Sequence, residues 1–281
     1  MNDKYLKVFK YNFCLSLSKV VPVYQKVYYR EINKVLNENF SNPQILNLTD
    51  GPTFQFSIAD KLFFAKLFYK KNTKLLDEIK KVFPDKQYFK VKNHIYLLVE
   101  PFQPFEILNS DGDYQVDELV NDLLKIHQVK LPKRDFYNVL KKETIARVKK
   151  LPITGLKEII SYVKKYDYPK ADSLIHEDIQ PKNIFIDGDA VKLFDYENAR
   201  IGHPYDDFSY LYLFSEQYPK LVDKIVMTYF SSHVPADFKD LMNHFVVLRY
   251  LTNLAGSYQF NNQETLNRNA YTIINRYIKN D

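Results

Sequence analysis

Residues 174–212 decide the fold, and they read LIHEDIQPKNIFIDGDAVKLFDYENARIGHPYDDFSYLY. His176-Glu177-Asp178 opens the stretch, and Asn183 follows five residues after the aspartate. The apolar segments IFI and VKLF then flank Asp187-Gly188-Asp189, which is a strong hairpin signal. Asp195 ends the second strand of that hairpin. A loop closed by a hairpin can hold three oxygen-bearing side chains around one pocket.

The three oxygen-bearing side chains suit phosphoryl transfer. Asp178 would face an acceptor hydroxyl, orient it and accept its proton. Asn183 and Asp195 would supply oxygen ligands to Mg²⁺, a hard cation that prefers carboxylate, carbonyl and phosphate oxygens. The metal would bridge phosphate oxygens and neutralise charge while the phosphoryl group moves. This reaction asks mainly for positioning and electrostatic stabilisation, and these residue types supply both.

The stretch resembles the catalytic loop of the aminoglycoside phosphotransferase and choline kinase families, which are relatives of the protein kinases. The loop of these families reads His-x-Asp-x-x-x-x-Asn and is followed by a metal-binding aspartate. Here it reads HEDIQPKN, then FDYE. Downstream, GHPYDDFSYLY is similar to the families' Pro-x-x-Asp-hydrophobic-small segment, with Asp207 on the aspartate. The resemblance implies that Asp207 braces the loop through its backbone and that His176 packs and hydrogen-bonds structurally.

The resemblance also implies a lysine on a strand that points at the nucleotide phosphates, and Lys66 in FFAKLF fits. By strand alternation Phe64 shares a face with Lys66, so its ring would lie against the nucleobase. Asp50-Gly51-Pro52-Thr53 lies where these families place a short phosphate-covering turn. The turn departs from the family pattern because it has one glycine only, and Thr53 is the candidate donor to phosphate.

Two further nucleotide contacts follow from the resemblance. VEPF at 99–102, which includes Glu100, would be the hinge between the lobes and would read the base edge through its backbone. Because backbone groups would recognise the base, the sequence does not distinguish ATP from GTP as the nucleotide. An acidic residue on a helix should pair with Lys66, and Glu78 and Asp77 both remain candidates.

Hydrophobic periodicity divides the chain into a strand-rich N-terminal part and a mostly helical C-terminal part. A helical leader covers the first ~40 residues, TFQFSI and KLFFAKLFY predict a hairpin, and IYLLV predicts a buried strand. Helices are predicted over 72–82, 116–127, 134–150, 155–166, 206–217, 219–230, 236–256 and 262–279, and the 184–194 hairpin is the one exception in the C-terminal part.

The predicted fold class is therefore α+β, a bilobal protein-kinase-like fold. Residues 1–100 would form a small N-lobe, in which the helical leader precedes an antiparallel nucleotide-binding sheet. Residues 101–281 would form a larger helical C-lobe with the catalytic loop and the acceptor site.

Composition excludes several other classes of protein. Of the 281 residues, 46% are hydrophobic and 16% are aromatic, which is too apolar for a disordered chain. The single cysteine, Cys14, cannot form an intrachain disulfide or a cysteine-based zinc site, which fits a reducing compartment. No run approaches the ~20 apolar residues that span a bilayer. We therefore expect a cytoplasmic protein without membrane partners. The net charge of +6 suits a phosphate-bearing ligand as well as nucleic acid, and nucleic-acid binding is the third interpretation because no aromatic-basic motif for base stacking stands out.

The sequence thus predicts a small-molecule kinase that uses Mg²⁺ and ATP or GTP to phosphorylate a hydroxyl of a small acceptor. Glu197, with Asp206 and Glu216 as further acids, would contact a cationic acceptor. A choline or ethanolamine kinase is an alternative, which Gln180 favours and the absence of tryptophan opposes. A catalytically weak nucleotide-binding protein is a second alternative, because of the single-glycine turn.

Overall fold

The computed structural model describes residues 17–48, 53–70, 73–92, 94–102, 108, 112–258 and 261–279. The chain divides into two compact units, residues 1–104 and residues 105–281. Each unit has its own sheet and its own helices, and each is described by itself.

The first unit is built on one antiparallel sheet with the strand order β1-β2-β3-β5-β4. Its described elements are α1 (Leu17–Asn39), β1 (Gln44–Leu48), β2 (Thr53–Ile58), β3 (Lys61–Tyr69), α2 (Lys74–Val82), β4 (Gln87–Lys92) and β5 (Ile95–Pro101). The predicted hairpin is confirmed as β2 and β3, joined at Ala59 and Asp60. Both turn residues have positive φ, at 45° and 65°, as a tight two-residue hairpin turn requires. Strands β1 and β4 were not predicted.

One face of this sheet is covered by helix α1. The helix contributes Ile32 and Leu36, spaced by one helical turn, and both are buried. They join a core whose sheet members are Phe54, Phe56, Ala65, Leu67, Leu97 and Val99. Because side chains alternate along a strand, the residues between these positions lie on the opposite face of the sheet.

The second unit is mostly helical. Its helices are α3 (Asp117–Gln128), α4 (Phe136–Val148), α5 (Leu156–Lys165), α6 (Pro204–Leu213), α7 (Pro219–Tyr229), α8 (Phe238–Ser257) and α9 (Gln263–Tyr277). The predicted hairpin is confirmed as β8 (Ile184–Asp187) and β9 (Ala190–Leu193), with Gly188 at φ 64° in the turn. Within the described residues, no helix combines the length and the apolar character needed to cross a bilayer.

The expectation of a single hairpin in the C-terminal part is wrong. A three-stranded antiparallel sheet, in the order β10-β7-β6, also occurs there. Its strands are β6 (Lys130–Arg134), β7 (Ala171–Ile175) and β10 (Arg200–Gly202). Strand β6 reads KLPKR and is largely exposed, and β10 has three residues, so neither shows the apolar alternation that predicts a strand.

This second sheet positions the loop that the sequence singled out. Strand β7 ends at Ile175, directly before His176, and β8 begins directly after Asn183. The loop is therefore held between a central buried strand and a hairpin. Helix α6 starts with Pro204 in its first turn, which fixes the backbone for helix entry and places Asp207 in that turn.

Leu97→Ala should lower the free energy of unfolding by about 2–5 kcal/mol, because Leu97 is fully buried between α1 and the sheet and its truncation leaves a cavity. Leu46→Ala is the matched control, since Leu46 in β1 is 47% exposed and should cost far less. Urea unfolding followed by circular dichroism measures both variants. Equal losses in the two variants would contradict the assigned core.

Candidate active site

Asp207 ties the loop backbone to helix α6. Its Oδ2 accepts the His176 N–H at 2.8 Å, and its Oδ1 accepts the Glu177 N–H at 2.6 Å. His127 on α3 donates from Nε2 to the same carboxylate at 2.9 Å, and its Nδ1 bonds the Tyr229 hydroxyl at 2.8 Å. Asp207 and His127 are buried, so their charge and polarity are satisfied entirely within this cluster. This geometry supports the bracing role that the resemblance implies for Asp207.

His127 was not predicted as part of the site. It lies within an apolar helical pattern, LLKIHQ, where a histidine is usually a core or rim residue. Its pairing with Asp207 spans 80 positions in sequence. A contact of that separation leaves no local signal in a single sequence.

His176 links the loop to the strand that follows the hairpin. Its Nε2 donates to the Phe194 carbonyl at 2.9 Å, and its Nδ1 accepts the Asp178 N–H at 3.2 Å. Tyr196 contacts the imidazole edge to face, with ring centroids 4.6 Å apart. Burial lowers the pKa of His176, which keeps the ring neutral and able to accept at Nδ1. Both ring nitrogens of His176 are therefore used in hydrogen bonds that hold the loop.

Asp178 is buried and its carboxylate is held by side-chain amides. Gln180 donates to Oδ1, while Asn183 and Asn198 donate to Oδ2 at 3.0 Å and 3.3 Å. Sequence reasoning missed Asn198, which ends a short 3₁₀ turn after Asp195, where an asparagine reads as an ordinary turn residue. Three neutral donors therefore orient the carboxylate without adding a positive charge beside it.

Asn183 and Asp195 lie at the open end of the hairpin. The Phe194 N–H donates to the Asn183 carbonyl at 3.1 Å, which joins the two chain segments beyond the last strand pair. The Asn183 amide nitrogen donates to the carbonyl of Asp178 at 2.8 Å, so the amide oxygen is directed elsewhere. Asp195 follows with φ 68°, a left-handed backbone that is uncommon for residues other than glycine and that aspartate adopts more readily than most.

The donor set of this pair fits Mg²⁺. An amide oxygen and a carboxylate are hard ligands, and Mg²⁺ is commonly held by one or two protein groups together with water and phosphate oxygens. Within the described ranges, no three histidine, cysteine or acidic side chains cluster closely enough to hold a metal alone. A metal here would therefore depend on a phosphate ligand for much of its coordination.

The first unit brings four predicted nucleotide residues to one face of its sheet. Thr53 lies opposite Lys66 across β2 and β3, and Phe64 lies opposite Glu100 across β3 and β5. Directly opposed residues point to the same side of a sheet. All four therefore share the face of the sheet opposite to the one that packs against α1. The turn residues 50–52 lie outside the described residues.

The backbone of Glu100 was predicted to contact the base edge, and the structure places it differently. The Phe102 N–H donates to the Leu62 carbonyl at 2.9 Å, and antiparallel bonds recur at every second pair. The backbone groups of Glu100 are therefore bonded to Phe64 within the ladder. The Glu100 carboxylate forms a buried ion pair with Lys86, which sequence reasoning did not find. By the same alternation, the Pro101 carbonyl points away from β3.

The remaining acids are placed as follows. Glu78 binds Lys81 on its own helix at 2.8 Å. Asp206 is buried between two arginines, Arg200 and Arg249, so it is not available to a cationic acceptor. Glu197 lies half-buried on the short turn between Asp195 and Asn198, next to the proposed metal pair.

Comparison with known proteins finds a family model that matches the part of the chain containing this loop. Residues 113–238 match the family model of the phosphotransferase enzyme family, APH. The predicted resemblance is confirmed. The match includes the loop, the hairpin and Asp207, and it supports a phosphotransferase that acts on a small molecule. No curated protein matches the chain in sequence.

Solved structures of phosphotransferases share the fold. Choline kinase LicA from Streptococcus pneumoniae is 17% identical with a TM-score of 0.59, over 89% of this chain and 97% of its own. A thermostable mutant of APH(4)-Ia, complexed with AMP-PNP and hygromycin B, is 12% identical with a TM-score of 0.61, over 87% and 98%. Spectinomycin phosphotransferase APH(9)-Ia, complexed with ADP and spectinomycin, is 14% identical with a TM-score of 0.55, over 89% and 94%. The predicted protein-kinase-like fold is confirmed.

The entry to helix α6 is expected to make the stability of the second unit depend on pH. His203 caps this helix by accepting the Tyr205 N–H at 3.2 Å, and burial lowers the pKa of His203 to about 4. The unfolded chain takes up this proton near pH 6.5, so between pH 6.5 and 4 the unfolded state binds more protons. The free energy of unfolding should therefore fall as the pH falls through this range.

His203→Asn tests this assignment, because asparagine keeps a capping acceptor and removes the titration. Urea unfolding at several pH values should show a shallower dependence in this variant than in the native protein. His233→Asn, which replaces an exposed histidine, is the control. Identical slopes for native protein and His203→Asn would rule out the assignment.

Proposed function

We propose that this protein transfers the γ-phosphoryl group of ATP or GTP to a hydroxyl of a small molecule. The observation that carries the proposal is the loop itself. An oriented carboxylate, Asp178, lies within hydrogen-bond distance of the amide of Asn183, and the hairpin base joins Asn183 to the segment that carries Asp195. Phosphoryl transfer requires a group that positions the hydroxyl next to a group that positions the metal.

Asp178 is proposed to orient the acceptor hydroxyl and accept its proton. Its carboxylate is oriented by three amides and carries no arginine or lysine partner among the described residues. A direct cation would lower its affinity for a proton, so an all-amide environment suits a proton acceptor. His176 is not proposed as the base, because its two ring nitrogens bond Phe194 and the Asp178 backbone.

Asn183 and Asp195 are proposed to hold Mg²⁺, with the amide oxygen of Asn183 as one ligand. Bound there, the metal would neutralise charge on the phosphate oxygens. The chain's own contribution is to fix the two ligands through the hairpin base and through the bond from Asn183 to Asp178.

The face of the first sheet that carries Lys66 and Phe64, opposite to α1, is proposed to bind the nucleotide. Lys66 would contact phosphate, Thr53 would donate to phosphate, and Phe64 would lie against the base. The Pro101 carbonyl replaces the backbone of Glu100 as the proposed contact to the base edge, because the Glu100 backbone is bonded within the sheet.

The acceptor class is proposed from the structural neighbours and from the acids. The neighbours are named for choline and for aminoglycosides, whose nitrogen groups are cationic, and Glu197 is proposed to contact such a group because it lies two residues beyond Asp195. A choline or ethanolamine kinase therefore stays the first alternative, and a weakly active nucleotide-binding protein the second. A screen of turnover over aminoglycosides, choline, ethanolamine and amino alcohols separates the three. A cytoplasmic location also stays a prediction.

Asp178→Asn should reduce turnover by roughly 10²–10⁴-fold with near-native nucleotide affinity, because it removes the charge that accepts the proton. Asn198→Ala, which removes one amide donor and keeps the carboxylate, should lose much less. Asp187→Asn, at the far end of the same hairpin, should turn over at the native rate. Steady-state kinetics and nucleotide titration measure the set. Native turnover by Asp178→Asn would show that another residue accepts the proton.

Asp195→Ala should abolish the dependence of nucleotide binding on Mg²⁺, because it removes the carboxylate ligand. Thermal shift with ATP, in the presence and absence of Mg²⁺, reports this directly, since a ligand that binds only the native state raises its melting temperature. Asp189→Ala, at the hairpin turn, should keep the native response. A native protein whose shift is the same with and without Mg²⁺ would refute the metal site.

A further inference from the structure

The residue directly before Asp178 has an unusual backbone. Glu177 has φ 72°, in the left-handed region that glycine adopts readily and other residues rarely adopt. Its N–H nevertheless donates to Asp207 at 2.6 Å. Something must therefore hold a glutamate in a conformation that costs free energy, at the position that sets the direction of Asp178.

The side chain of Glu177 belongs to a closed ring of four charges. Its carboxylate pairs with Arg200 and, at 3.4 Å, with Arg249. Asp206 closes the ring, because its two oxygens pair with Arg200 at 2.7 Å and with Arg249 at 2.8 Å. The four side chains are between 4% and 27% exposed, and their charges sum to zero. Burial alone would lower the pKa of both arginines, but the neighbouring carboxylates outweigh burial and raise the pKa of both, so the two guanidinium groups stay charged.

The two arginines are fixed by further contacts. Arg249 lies on α8, with its guanidinium 4.4 Å from the Tyr210 ring centroid and its Nε 3.2 Å from the Ser209 hydroxyl. Arg200 on β10 lies 4.1 Å from the Phe136 ring centroid. The ring therefore connects the loop to β10, α6 and α8, and none of its members contacts the Asp178 carboxylate in the structure.

We propose that Glu177 is a positioning residue for phosphoryl transfer, held by Arg200 and Arg249. The ring would fix the peptide unit between Glu177 and Asp178, and so aim the Asp178 carboxylate at the acceptor hydroxyl. This inference rests on the proposed function, and it adds to that function a set of residues that act without touching a substrate. The physical basis is that one misplaced partner leaves buried charge uncompensated, which shifts the loop.

Glu177→Gln and Arg249→Met test the proposal by separating turnover from binding. Each variant should lower kcat by about 10–100-fold, the scale expected of a small misplacement of the reacting groups, with near-native nucleotide affinity. Glu177→Asp, which keeps the charge, should recover part of the loss. The double variant should lose no more than the worse single variant, because the two residues act as one unit. Rates are normalised to folded protein, and Glu143→Gln, from an exposed pair on α4, is the matched control.

A second readout does not depend on activity. Hydrogen exchange of the loop amides, followed by mass spectrometry, should be faster in Glu177→Gln than in Glu143→Gln, because the N–H groups of His176 and Glu177 lose their fixed geometry toward Asp207. Native kcat per folded molecule, in either ring variant, overturns the proposal. If the native protein has no turnover with any acceptor or with water, the proposed function fails. In that case hydrogen exchange alone tests whether the ring fixes the loop. Unchanged protection of the loop amides in Glu177→Gln then overturns the proposed role of Glu177.

Discussion

The carboxylate of Asp207 is the group on which the loop geometry depends. A buried carboxylate is stable only when hydrogen-bond donors surround it, and this one takes the backbone N–H groups of His176 and Glu177 and the imidazole of His127. The same two hydrogen bonds therefore satisfy the Asp207 carboxylate and fix the turn of the loop backbone. The loop follows directly after strand β7, and helix α6 carries the Asp207 carboxylate. The orientation of Asp178 therefore depends on both elements.

The charges around the loop are separated by type. Asp178 is surrounded by amides, whereas the arginines lie one residue earlier, on Glu177, and on Asp206. An arginine on Asp178 itself would hold the carboxylate equally well and would reduce its affinity for a proton. The ion pairs of Glu177 can therefore hold the loop rigid, while Asp178, the next residue, keeps a carboxylate that can accept a proton. The left-handed backbone lies at Glu177 itself, the residue that pairs with arginines, directly before the residue that binds amides.

The elements that could be predicted from the sequence are those whose turn residues or hydrophobic periodicity lie within a few residues of one another. The hairpin around Asp187-Gly188-Asp189 and the amphipathic helices were predicted because turn chemistry and periodicity act within a few residues. Strand β6 was missed because it carries Pro132 and exposed lysines, and it is a strand only because β7 pairs with it. His127 and Asn198 were missed for a related reason: their partners, Asp207 and Asp178, are 80 and 20 residues away.

The adjacent pair Asp206-Asp207 shows why residue type alone could not settle the roles of the acids. Neighbours on an α-helix point about 100° apart, so one aspartate reaches the loop backbone and the other reaches the arginines. Both are buried and both are bonded, yet Asp207 binds two backbone N–H groups and an imidazole, whereas Asp206 binds two arginines. Asp206 is thereby removed from the acids that a cationic acceptor can contact. For the proposed cationic acceptor, Glu197 therefore stays the candidate contact, since it lies two residues beyond Asp195 and so near the segment proposed to hold the metal.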